Sequence, residues 1–174
     1  MASLGDVFAV INSAKQANII TDYAIGGAMA VLFYAEPTRT YDLDVFILQS
    51  QKTIGQLISI TSIYEWAQSN NYAFDAEHII IHGVPVQFLP AHNLIAEEAI
   101  HQARDLDYEG VPVRVIAPEH LIALALDAGG AKRRERIAYL LEAKVVDYEH
   151  LNEILLKYNL EAPWRRYLEF INHE

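Results

Sequence analysis

The chain has 174 residues, 52% hydrophobic and 21% charged, which suits one domain, or one core with a short helical appendage, that needs no staples to bury its interior. It contains no cysteine, so disulfides, zinc–thiolate sites and cysteine catalysis are excluded. Its formal net charge of −10 disfavours extended duplex nucleic acid and anionic membranes. A small polyanion such as a nucleotide remains compatible, because a bound cation and a few basic side chains can reverse the local field.

The chain opens without a basic start followed by an apolar run, so no signal peptide is expected. No apolar stretch is long enough to span a bilayer, and a cytoplasmic location is expected. Ser3 and Asp6 form a capping-box pattern ahead of Val7, Phe8, Val10, Ile11 and Ala14 at helical spacing, which predicts a first helix ending near Asn18. Tyr23-Ala24-Ile25 reads as a short buried strand running into Gly26-Gly27, and Ala28 to Ala35 as a small-residue helix ended by Pro37. Leu43 to Leu48 is the clearest strand.

Ile54 to Ala67 carries apolar residues at helical spacing and is stopped by Asn70-Asn71. Ile79–Ile81 and Val86–Leu89 flank His82-Gly83-Val84-Pro85 and predict a hairpin. Asn93 to Ala103 should be helical, and Leu106–Tyr108 with Val111–Ile116 should form a second hairpin around Glu109-Gly110. Everything beyond Pro118 reads as helix: Pro118–Ala128, Lys132–Ala143, Tyr148–Tyr158 and Pro163–Ile171, with both prolines suited to a first turn. The expected organisation is a mixed core over residues 1–116 and a helical C-terminal segment, 117–174, packed on it.

Chemistry concentrates in Tyr23-Ala24-Ile25-Gly26-Gly27-Ala28 and Thr40-Tyr41-Asp42-Leu43-Asp44-Val45-Phe46. Residues two apart on a strand project from one face, so Asp42 and Asp44 hold their carboxylates side by side while Leu43 and Val45 point to the core. Adjacent carboxylates repel unless a cation lies between them, and hard oxygen ligands suit magnesium or manganese. Such an ion can bridge to the phosphates of a nucleotide. Gly26 and Gly27 would let backbone amides approach those phosphates, with the following helix pointing its positive end at them. Alone, an Asp-x-Asp is more often a solvated strand end and a Gly-Gly a turn; the order, the separation and the apolar flanks together argue for a site.

This segment resembles the hallmark of the DNA polymerase β-like nucleotidyltransferase superfamily: an apolar residue, Gly-Gly, a spacer, then Asp-apolar-Asp-apolar. It is similar within it to the small bacterial branch of minimal nucleotidyltransferases and AbiE-type toxin enzymes, whose Thr-x-Asp-x-Asp run is matched by Thr40, Asp42 and Asp44. The resemblance implies an α+β nucleotidyltransferase fold, a small mixed sheet flanked by helices with a helical C-terminal tail. It implies catalytic, metal-holding roles for Asp42 and Asp44, and nucleotide-binding roles for Gly26, Gly27 and Thr40. The implied activity is transfer of a nucleoside monophosphate from a nucleoside triphosphate to a hydroxyl of protein or RNA, with magnesium or manganese as cofactor.

Two positions depart from the superfamily pattern. Gln87 stands where a third carboxylate is usual, and an amide cannot deprotonate an attacking hydroxyl. Asp75 or Glu77 is the candidate substitute. Upstream, relatives often carry an arginine where this chain has Thr38, and Arg39 is offset by one. In the tail, Lys132-Arg133-Arg134-Glu135-Arg136 is either a solvated helix face or a phosphate-binding edge. In the second case Lys132 and Arg136, four apart, reach the triphosphate, and related chains often have a lysine near Lys132. Trp164-Arg165-Arg166-Tyr167 reads as an aromatic anchor of the last helix or a partner-docking motif. His78 and His82 are too far apart for one ion.

The leading expectation is a magnesium-dependent nucleotidyltransferase. The alternative from another class is a nucleotide-binding protein of this fold with weak or no turnover, one component of a toxin–antitoxin pair with a cognate toxin or antitoxin, and Gln87 favours it. A glycosyltransferase using Asp-x-Asp with a sugar nucleotide fits poorly with the upstream Gly-Gly and the short chain.

Overall fold

Alternation of Leu43, Val45 and Ile47, all fully buried, against half-buried Asp44, Phe46 and Leu48 makes β2 (Leu43–Leu48) the centre of the molecule. A computed structural model describes residues 3–35, 40–48 and 60–172. Seven strands join in the order β3-β4-β5-β2-β1-β7-β6, with β1 Asp22–Ile25, β3 Ala73–Asp75, β4 His78–Ile81, β5 Val84–Pro90, β6 Arg104–Tyr108 and β7 Val111–Val115. The sheet is mixed: β2 runs antiparallel to β1 and parallel to β5, and β1 runs parallel to β7. The two expected hairpins form, β4–β5 across His82-Gly83 and β6–β7 across Glu109-Gly110. All four turn residues have positive φ, the arrangement that a two-residue turn needs to match strand twist.

Helix α1 (Leu4–Gln16) starts at the Ser3–Asp6 capping box and buries Val7, Phe8, Ile11 and Ala14, packing on β7. Helix α2 (Gly27–Leu32) covers β2, and α4 (Leu94–His101) packs on β1, β2 and α5 (Pro118–Ala128). The tail adds α6 (Ala131–Glu142), α7 (Tyr148–Lys157) and α8 (Glu161–Ile171), all gathered on α5. Glu119, 1% exposed, ties this tail to the sheet: its carboxylate accepts from the Asp147 backbone N–H at 2.7 Å and from Arg104 of β6 at 3.4 Å. Among the described residues no helix is long and apolar enough to cross a membrane.

Several elements differ from the sequence-based expectation. Helix α2 stops at Leu32, and Phe33–Ala35 form a turn. Helix α3 occupies Thr61–Ser69, and the upstream part of the helix expected from Ile54 lies outside the described residues. Strand β3 was not expected: its three residues are exposed, and only its pairing with β4 defines it. Helix α8 begins at Glu161 rather than Pro163, because proline fits anywhere in a first turn, where N–H groups have no intrahelical partner.

Candidate active site

The β1–β2 register places Ile25 opposite Val45, and the Gly26 N–H donates to the Asp44 carbonyl at 2.9 Å. The chain then turns into α2 directly over Asp44. Gly27 has φ +59°, and a Cβ there would stand 1.9 Å from Asp44 Oδ2. A Cβ on Gly26 would stand 2.3 Å from the Phe46 ring. Neither position admits a side chain while Asp44 and Phe46 keep their places. The double glycine and the second aspartate, far apart in sequence, are therefore one structural unit. Helix α2 has six residues and its N-terminus alone is no anion site; the glycines' contribution is bare backbone beside the carboxylate.

Asp42 lies at the entrance to β2 and is exposed, whereas Asp44 is half-buried. Thr40 holds the first carboxylate: its Oγ1 donates to Asp42 Oδ1 at 2.9 Å and to the Asp42 carbonyl at 3.2 Å. Burial and, next, the charge on Asp42 push the Asp44 carboxyl above the ordinary carboxylate range, while Arg136, His78 and Arg133 pull it back. Ionised Asp44 is thus in deficit of positive charge. Among the described residues no group of three or more carboxylate or imidazole side chains could hold an ion. A cation here would take two protein carboxylates and complete its shell with phosphate and water oxygens, a donor set that fits magnesium or manganese.

Gln87 is the Cα partner of Asp44 in the parallel β2–β5 ladder and is half-buried, beside the second aspartate as its sequence position implied. The substitutes expected for a third carboxylate are displaced. Asp75 pairs with His78 on edge strand β3, and β4 and β5 separate it from β2, a span of about 14 Å at the usual strand spacing. Glu77 sits exposed in the β3–β4 turn. Extending the β4–β5 register by one residue brings His78 opposite Gln87, on the same sheet face as Asp44. His78 Nε2 is buried and has no hydrogen-bond partner among the described residues.

A cavity of about 280 Å³ opens beside this row, with Gly27 and Asp44 in its wall. Phe46 and α5 side chains give it an apolar lining, and Arg133, Arg136, His92 and Asp127 supply its other polar groups. Arg136 is thus in the cavity wall. Lys132 is exposed and is not part of the cavity wall; the wall positions on this helix are Arg133, Arg136, Ile137 and Leu140. Arg133 is oriented by its Nη1 donating to the Gly129 carbonyl at 3.0 Å. Arg134 faces elsewhere, 4.7 Å over the Phe170 ring. Trp164 stacks on buried Tyr167, consistent with an aromatic anchor, and Arg39 lies outside the described residues. Asp127 and His92 were not singled out from sequence; the one available signal was Asp127's place just ahead of Gly129-Gly130 and the basic cluster.

A family model described as "nucleotidyl transferase of unknown function (DUF2204)" matches residues 4–163. No curated protein matches in sequence. Among solved structures, an antigenic nucleotidyltransferase-like protein from Paracoccidioides brasiliensis is 18% identical with TM-score 0.54, covering 80% of this chain and 74% of that one. ANT(2")-Ia in complex with adenylyl-2"-tobramycin is 14% identical with TM-score 0.55, covering 95% and 99% of the two chains. A solution structure of the same antibiotic-resistance factor gives 14% identity and TM-score 0.53 over the full length of both. At these identities the likeness concerns the fold.

Proposed function

The chain belongs to this nucleotidyl transferase family, and on that premise we propose that it transfers a nucleoside monophosphate from a nucleoside triphosphate to a hydroxyl acceptor, on protein or RNA, with magnesium or manganese. The observation that carries the reading is the interlock of Gly27 with Asp44 in the wall of a cavity also lined by Arg133 and Arg136. Asp42 and Asp44 hold the ion, with Thr40 fixing the Asp42 carboxylate. When bound, the ion supplies charge neutralisation and alignment of the triphosphate. Gly26 and Gly27 present backbone to the phosphates, the two arginines add positive charge, and the apolar wall excludes water from the reacting centre. Catalysis is then mainly positioning and electrostatics. Lys132, one residue outside the wall, is at most a peripheral contact to the phosphates.

The amide of Gln87 beside Asp44 favours a second reading, a nucleotide-binding protein with weak turnover that acts as one half of a toxin–antitoxin pair. Transfer of α-labelled nucleoside triphosphates to protein and to total RNA separates the two. The first reading requires labelled product from the wild type that is lost in Asp42→Asn. Nucleotide binding without any labelled product would support the second.

A further inference from the structure

With Gln87 unable to accept a proton, and Asp75 and Glu77 displaced, the nucleotidyltransferase reading leaves the attacking hydroxyl without a base. We propose that Asp127 is that base, a catalytic residue in the wall of the cavity that the glycine–aspartate unit also lines; this rests on the function proposed above. Asp127 lines the same cavity as Gly27 and Asp44 but comes from the last turn of α5. A helix C-terminus is an unfavourable place for a fixed negative charge. Among the described residues Asp127 has no cationic partner, and its Oδ2 accepts a hydrogen bond from Asn93 Nδ2 at 3.2 Å.

That bond is directional. Asn93 caps α4, its Oδ1 accepting from the Ala96 N–H at 2.9 Å, so the amide cannot flip and its NH2 end is turned to Asp127. His92, also in the cavity wall, stands with Nε2 3.4 Å from the same Nδ2. The capping residue of one helix thereby positions a carboxylate at the end of another, 34 residues away in sequence. Among the described residues, Asp44, Asp127 and His92 do not form a group that could hold an ion. Asp44 and Asp127 both line this cavity of about 280 Å³, and the cavity is where a reactant would sit.

In the step assigned to it, a carboxylate oxygen of Asp127 takes the proton from the acceptor hydroxyl. The freed oxygen forms a bond to the α-phosphorus, and the bond from that phosphorus to the oxygen bridging to the β-phosphate breaks. Pyrophosphate leaves carrying the electron pair, and the nucleoside monophosphate stays on the acceptor. Asn93 is a positioning residue in this scheme.

The test uses the full chain with manganese, a mixture of four α-labelled ribonucleoside triphosphates, and water, total protein or total RNA as acceptor, reading pyrophosphate release and label transfer. Asp127→Ala should lower turnover by about a hundredfold or more, with triphosphate affinity by calorimetry within about threefold of the wild type. Added formate should restore part of the lost rate, a rescue that a merely structural role would not show. Asn93→Ser keeps a capping side chain but removes the donor to Asp127, and should lower kcat while leaving KM and the melting temperature near the wild-type values. Turnover of Asp127→Ala within threefold of the wild type, or loss without formate rescue, overturns the assignment while wild-type activity upholds the nucleotidyltransferase reading. A wild type that binds triphosphate yet releases no pyrophosphate with any of these acceptors overturns both.

Discussion

Gly27 and Asp44 occupy space that only one side chain can fill: a Cβ on residue 27 would lie 1.9 Å from Asp44 Oδ2, on backbone at φ +59°. Gly27→Ala therefore meets both a clash and a strained dihedral. It should destabilise the fold by about 1–3 kcal/mol or more, measured by urea unfolding. Adding Asp44→Gly should relieve the clash but not the dihedral, so the double variant should be less destabilised than the sum of the singles. Strict additivity would mean that the two positions are not interlocked.

Burial of Asp44 makes a stability prediction opposite in sign to its functional one. Its carboxyl is raised above the ordinary value, first by burial and then by Asp42. A group whose pKa rises on folding favours the folded state below its unfolded value, and that contribution is lost as pH climbs through the folded value. At neutral pH ionised Asp44 is thus a net cost in the metal-free protein. Asp44→Asn should raise the metal-free melting temperature at pH 7, with the gain shrinking as pH falls through the raised folded value and gone below the ordinary carboxylate value of about 4. A lower melting temperature for Asp44→Asn at pH 7 would contradict this origin of the shift.

On helix α6 the wall is lined by Arg136, and Lys132 lies outside it. Arg136→Ala should weaken triphosphate binding by roughly tenfold or more, the usual worth of a hydrogen bond to a charged group. Lys132→Ala should change it by less than about threefold, in the range of exposed ion pairs. The reverse order, read by calorimetry, would move the phosphate-binding edge to the outer side of the helix.

How far the sequence reveals this molecule follows from the range of each signal. Strand β2 and helix α5 match their expected limits because alternation around Leu43, Val45 and Ile47, and Pro118 at a first turn, are local signals. The Ser3–Asp6 box and the two X-Gly turns are equally local. Strand β3 was invisible because exposed Ala73-Phe74-Asp75 has no buried face to report; its partner makes it a strand. At the candidate site, Asp42, Asp44, Gly26, Gly27 and Thr40 could be proposed from sequence because they fall in two short runs. Asp127 could not, since its place depends on Asn93 capping a distant helix. Lys132 and Arg136 share a helical face at the usual spacing, yet only packing on α5 decides which residues of that turn meet the cavity.

The central claim, a cation held by Asp42 and Asp44 that recruits a triphosphate, is tested most directly by calorimetry of nucleoside triphosphate binding with and without manganese. Opposed negative charge makes binding without the ion unfavourable. The account predicts binding by the wild type only when manganese is present, and loss of that metal-dependent component in Asp44→Asn. Equal binding by the two proteins, or wild-type binding unchanged by removing manganese, would contradict it.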